Sequence, residues 1–123
     1  MHLPFATPTV LLKTLISAAA VAVLSLSSSA MAADVDADAA MALAKKNDCF
    51  KCHAVDKTKK GPSYKKIAAK YKGKEAEAQE KLLKHITTGP KVKLEDGTEE
   101  DHKIIDSKDP KALKNLIDWI LSQ

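Results

Sequence analysis

Cys49-Phe50-Lys51-Cys52-His53 decides how the rest of the chain is read. Two thiols three positions apart can each bond one edge of a haem, and the histidine directly after the second can bind its iron. Other uses of a CxxC make demands that this sequence does not meet. A tetrahedral zinc site needs four ligands, usually from a second CxxC or an HxxxH, and the chain has no further cysteine. A thioredoxin-like dithiol sits in a βαβ pattern, and no strand pattern precedes Cys49. A purely structural disulfide leaves His53 without a role. The motif therefore points to one covalent haem c held through Cys49 and Cys52, with His53 as an iron ligand.

The flanks read as helices. Before the motif, Asp34, Asp36 and Asp38 precede an apolar stripe of Ala40, Met41 and Ala44 that ends on lysines, which predicts a helix over about 37–47. Met41 lies on the approach to the His53 side, so it reads as a packing residue rather than a second iron ligand. After the motif, residues 54–60 are polar and Gly61-Pro62 marks a turn. Pro62 either leads the next helix or holds a carbonyl rigidly against the imidazole of His53, and the spacing leaves both open. Ser63 can cap a helix over 64–72 with Tyr64, Ile67, Ala68 and Tyr71 on one face and Gly73 as its stop. A third helix is expected over 75–87, with Ala78, Leu82, Leu83 and Ile86 inward. Residues 91–108 form a hairpin or a loop around Asp96-Gly97. Asp109 and Pro110 then open a last helix with a broad apolar face and Trp119 at its edge. Four helices without a persistent strand pattern predict an all-α domain.

Residues 1–32 read as a cleaved secretory signal peptide. Lys13 is followed by an apolar run from Leu15 to Leu26, and Ala30-Met31-Ala32 supplies the small residues of a cleavage site. The remaining 33–123 form one small exported domain, expected to be soluble and monomeric, with no segment long enough for membrane insertion. Phe50, Tyr64, Tyr71 and Trp119 are its only aromatic side chains, so its core is thin and a covalent haem would supply the missing apolar centre.

Charge is uneven along the chain. Eleven lysines stand against Asp48 and Asp56 over 45–74, whereas seven acids stand against Lys103 and Lys108 over 95–109. A lysine-rich field beside the haem motif suits transient, salt-sensitive docking of a partner with an acidic surface. The chain has no arginine, which disfavours bidentate phosphate recognition, and export makes nucleic acid an unsuitable partner.

The helix before CxxCH, the block from Cys52-His53-Ala54-Val55-Asp56 through Gly61-Pro62-Ser63-Tyr64 to Ala68-Ala69-Lys70-Tyr71, and the closing Asp118-Trp119-Ile120-Leu121-Ser122-Gln123 resemble the small bacterial class I cytochromes c. The resemblance spans nearly all of the exported chain. It implies a fold of about four helices wrapped around one covalent haem, with Cys49 and Cys52 as attachment points, His53 as proximal ligand and Pro62 as the residue that orients it. It also implies a periplasmic electron carrier rather than an enzyme.

One departure from that pattern is chemically decisive. The sixth ligand of such proteins is a methionine between the third and last helices, and this chain has no methionine after Met41. His102 lies in that segment, just before Ile104-Ile105, and an imidazole can take the vacant role. His85, on the third helix, is the second candidate, followed by a lysine, water or an empty site. The expectation is His53/His102 ligation; the alternative is a haem with a labile or open sixth site that binds a small gas or reacts with peroxide.

Overall fold

A computed structural model describes residues 34–123; the expected signal peptide lies outside the described residues. Four α-helices and one short hairpin follow in chain order: α1 (Ala37–Lys46), α2 (Tyr64–Lys70), α3 (Glu75–Thr88), the strands β1 (Lys91–Lys93) and β2 (Glu99–Asp101), and α4 (Pro110–Leu121). Helices α1, α2 and α4 start where their capping chemistry puts them. The side chains of Asp36, Ser63 and Asp109 accept hydrogen bonds from the backbone N–H groups of Ala39, Lys66 and Lys111, and Pro110 occupies the first turn of α4. At the other end of α3, Gly89 takes the left-handed conformation (φ 58°) and its N–H closes on His85 O.

Helix α4 is the hub against which α1, α2 and α3 pack. Its inward face is Leu113, Leu116, Ile117, Trp119 and Ile120, all buried. Ala40 and Ala44 of α1 and Ala78 of α3 are almost fully buried, and side chains this small let the helices come close to α4. Two reciprocal hydrogen bonds fasten the start of α1 to α4: Asp36 N–H donates to Asn115 Oδ1 (2.9 Å) and Asn115 Nδ2 donates to Asp36 O (2.8 Å). Leu116 and Ile117 are the largest completely buried side chains, and each contributes about 1.5–3 kcal/mol of apolar burial.

Two expectations about faces need correction. Leu83 is 43% exposed, because α3 turns only Ala78, Leu82 and Ile86 toward the interior. Trp119 is not at an edge; it is 4% exposed and meets Tyr64 and Phe50 edge-on, with centroids at 5.2 and 6.5 Å. The helical spacing places both residues near the boundary of an apolar stripe, and which way each falls depends on the neighbouring element rather than on its own helix. Residues 91–108 contain a real hairpin, with Lys91 opposite Asp101 and Lys93 opposite Glu99. Both strands are exposed charge ladders, so cross-strand pairs rather than a buried face hold them together.

Candidate functional site

The cysteine motif begins where α1 stops. Asn47 ends the helix, Asp48 takes a left-handed turn (φ 58°), and Cys49–Lys51 follow as one 3-10 turn. Asn47 is 2% exposed and uses its whole amide: Nδ2 donates to Leu43 O (2.9 Å) and Oδ1 accepts from Asp106 N–H (2.7 Å). It thus ties the start of the cysteine motif to the segment just after His102. Cys49 and Cys52 are both half-buried, and burial pushes the Cys49 thiol upward. The Tyr64 hydroxyl is adjacent to Cys49, and burial drives its own pKa far above the ordinary phenol value.

Three neighbours hold the His53 ring. Its Nδ1–H donates to Pro62 O at 2.7 Å, which leaves Nε2 as a free lone pair for a metal. Tyr64 stacks on it at 5.3 Å and 21°. Gly61 closes the third side: a Cβ there would lie 2.9 Å from His53 Cε1. Burial pushes the His53 pKa below its ordinary value, against the pull of the Pro62 carbonyl, which favours the neutral form that metal binding would need.

His102 arrives from the other side of the sequence. Its backbone N–H bonds Pro90 O (2.9 Å), and Ile105 N–H bonds Ile86 O (2.8 Å), so the segment is tied to α3 and to the turn that follows it. Its Nδ1–H donates to Lys103 O (2.9 Å), which again frees Nε2. Burial lowers its pKa below 6.5 as well, with the carbonyls of Lys103 and His85 acting in the opposite direction. The rings of His53 and His102 lie with centroids 6.2 Å apart and planes at 44°. His85 meets His102 at 5.7 Å and 90°. Met41 packs against the core cluster with α1.

Of the residues singled out by sequence, Cys49, Cys52, His53, Pro62 and His102 come together here. The roles of Gly61, Gly89, Asn47 and the Tyr64 ring were not read from it. Gly89 is more than a helix stop, since a Cβ on it would lie 2.6 Å from His102 O and 2.9 Å from Ile104 Cγ1. Close approach of this kind is a long-range fact that a glycine in a sequence cannot distinguish from an ordinary turn.

The cytochrome c family pattern matches residues 37–123. The chain belongs to the cytochrome c family. Among solved structures it is similar to the class 1 cytochrome MtoD of Sideroxydans lithotrophicus ES-1, at 62% identity over 72% of this chain and 96% of that one, with a TM-score of 0.67. Cytochrome c552 of Nitrosomonas europaea is 34% identical over 67% of this chain and 96% of its own, with a TM-score of 0.51. Cytochrome c-551 of Allochromatium vinosum is 45% identical over 47 residues, a match that spans 38% of this chain and about half (49%) of that relative. The four helices are those of the class I fold, and family membership brings one covalent haem c. The residues fit the group: two half-buried cysteines lie one turn apart, and the histidine after them commits Nδ1–H to Pro62 O, which leaves Nε2 for a metal.

Charge is less polarised in this cytochrome than along its sequence. Lys46 pairs with Asp106 (3.5 Å) and Lys66 approaches Glu95 (3.9 Å), so the acidic segment folds against the basic one. Glu95 N–H also bonds Lys60 O (3.1 Å), which joins the hairpin tip to the loop of the cysteine motif. Lys57, Lys59, Lys60 and Lys65 remain exposed around that loop.

Proposed function

We propose that this chain is an exported, periplasmic one-electron carrier whose haem iron is held between His53 and His102. The observation that carries the reading is the 6.2 Å separation of the two rings. A metal–imidazole bond of about 2 Å on each side, with slightly over 1 Å from nitrogen to ring centre, sums to roughly 6 Å, which is what one metal ion between two imidazoles requires. The matched tautomers support it, since each ring spends Nδ1–H on a carbonyl and keeps Nε2 free.

In this role the haem supplies the redox couple, and the chain makes or breaks no substrate bond. His53 and His102 fix the iron's coordination, so little rearrangement accompanies the change of oxidation state. Two imidazoles favour the ferric state relative to an imidazole–thioether pair, so a potential below that of methionine-ligated relatives is expected. The lysines around the cysteine-motif loop steer a partner with an acidic surface.

Two measurements test the reading. The ferric holoprotein should be low-spin with a two-imidazole electron paramagnetic resonance signal that millimolar cyanide changes only slowly; immediate conversion would show the open sixth site of the gas- or peroxide-binding alternative. Reduction of an anionic redox complex should slow as salt rises while that of a cationic complex does not; equal, flat responses contradict lysine steering.

A further inference from the structure

We propose that His85 is a positioning residue for the distal imidazole, its ring setting the rotation of the His102 ring about the bond to the iron. This rests on His102 being the sixth ligand. The need for such a residue follows from how His102 is attached. Its Nδ1–H donates to Lys103 O, the carbonyl of the next residue in the same segment, so that anchor moves with the ring it holds. By comparison, His53 is gripped by Pro62, Gly61 and Tyr64, which sit on a turn and a helix outside its own motif.

His85 supplies the missing external support. It meets His102 at 90° and 5.7 Å, the edge-to-face arrangement that aromatic rings prefer. Its own ring is fixed one helical turn back, where Nδ1–H donates to Lys81 O at 2.8 Å. That helix is rooted in the core through the buried Ile86, whose carbonyl also receives Ile105 N–H from the His102 segment. The brace and the segment it steadies therefore share one base. His85 does not take the iron position itself, since the ring 6.2 Å from that of His53 is His102.

The angle between two axial imidazole planes determines how each overlaps the iron d orbitals, and with it the anisotropy of the low-spin ferric signal. Removing the His85 ring should release the 44° relation between His53 and His102. The test uses the ferric holoprotein and its His85→Ala, His85→Leu and His85→Phe variants, read by low-temperature electron paramagnetic resonance and by the rate at which cyanide displaces the distal ligand. In the alanine and leucine variants the signal should remain low-spin, its largest g value should shift and broaden, and displacement should quicken about two- to tenfold, the worth of one aromatic contact. The phenylalanine variant keeps an edge-to-face ring and should stay near wild type. Wild-type g values and rates in the alanine and leucine variants, or a phenylalanine variant that moves as far as they do, overturn the proposal. A His102→Ala protein with an unchanged spectrum contradicts the ligand assignment instead, and so separates the two failures.

Discussion

His53 is gripped by a carbonyl nine residues on, a glycine with no room for a methyl group and a stacked tyrosine, whereas His102 bonds the carbonyl of its own neighbour at the end of an exposed two-stranded ladder. Both imidazoles nevertheless commit Nδ1–H to a carbonyl, and their ring centres lie 6.2 Å apart. The difference lies in what holds each ring still: on the first side, short-range turn geometry and core aromatics; on the second, contacts between segments distant in sequence. The proximal side should therefore tolerate little change, and the distal side should lose order gradually.

The largest effects should come from the proximal side. Cys52→Ala or His53→Ala should abolish stable haem retention, seen as loss of haem absorbance in the purified exported protein, because a domain of this size relies on the cofactor to complete its core. Wild-type haem content in His53→Ala contradicts the assignment. Tyr64→Ala should cost about 3–5 kcal/mol of unfolding free energy by removing a buried ring that touches His53, Phe50 and Trp119.

Within the distal segment, two glycines offer an internal comparison. Gly89→Ala combines left-handed backbone strain with displacement of His102 O and Ile104, and should cost about 2–5 kcal/mol. Gly97→Ala shares only the strain, since nothing lies within 4 Å of its Cβ position, and should cost about 1–2 kcal/mol. Equal costs in denaturant titration would mean that the Gly89 approach does not hold the segment.

Acid should act on both imidazoles. Burial pushes the pKa of His53 and of His102 below 6.5, so the unfolded chain binds protons that the folded chain refuses. The stability that comes from keeping them neutral is complete above pH 6.5 and is lost as pH falls below it, and the proposed iron ligation would act in the same sense. The low-spin spectrum should therefore survive past pH 6.5 and fail only in stronger acid; a midpoint at 6.5 would place an imidazole free in water. The smallest effect belongs to the hairpin's surface charges: Lys91→Ala, which removes an exposed pair with Asp101, should change stability by under about 1 kcal/mol in thermal melts.

The starts of α2 and α4 were legible because capping is local: a serine or aspartate ahead of an apolar stripe does its work within three residues, as Ser63 and Asp109 do. The cysteine motif and the Gly61-Pro62 turn were legible for the same reason. Less was visible where burial depends on the partner element, as with Leu83 and Trp119 at the margins of their stripes. The Asn47–Asp106 bond, the glycine approaches and the His85–His102 contact span distances in sequence that no local pattern encodes. His102 was nameable only as the histidine in the segment where a methionine was absent.

The most direct test of two-imidazole ligation is the ferric spectrum of His102→Ala before and after adding imidazole. The expected result is a high-spin haem that free imidazole returns to a low-spin, two-imidazole signal while haem content stays at the wild-type level. A His102→Ala protein that is low-spin without added imidazole, and indistinguishable from wild type, would contradict the account.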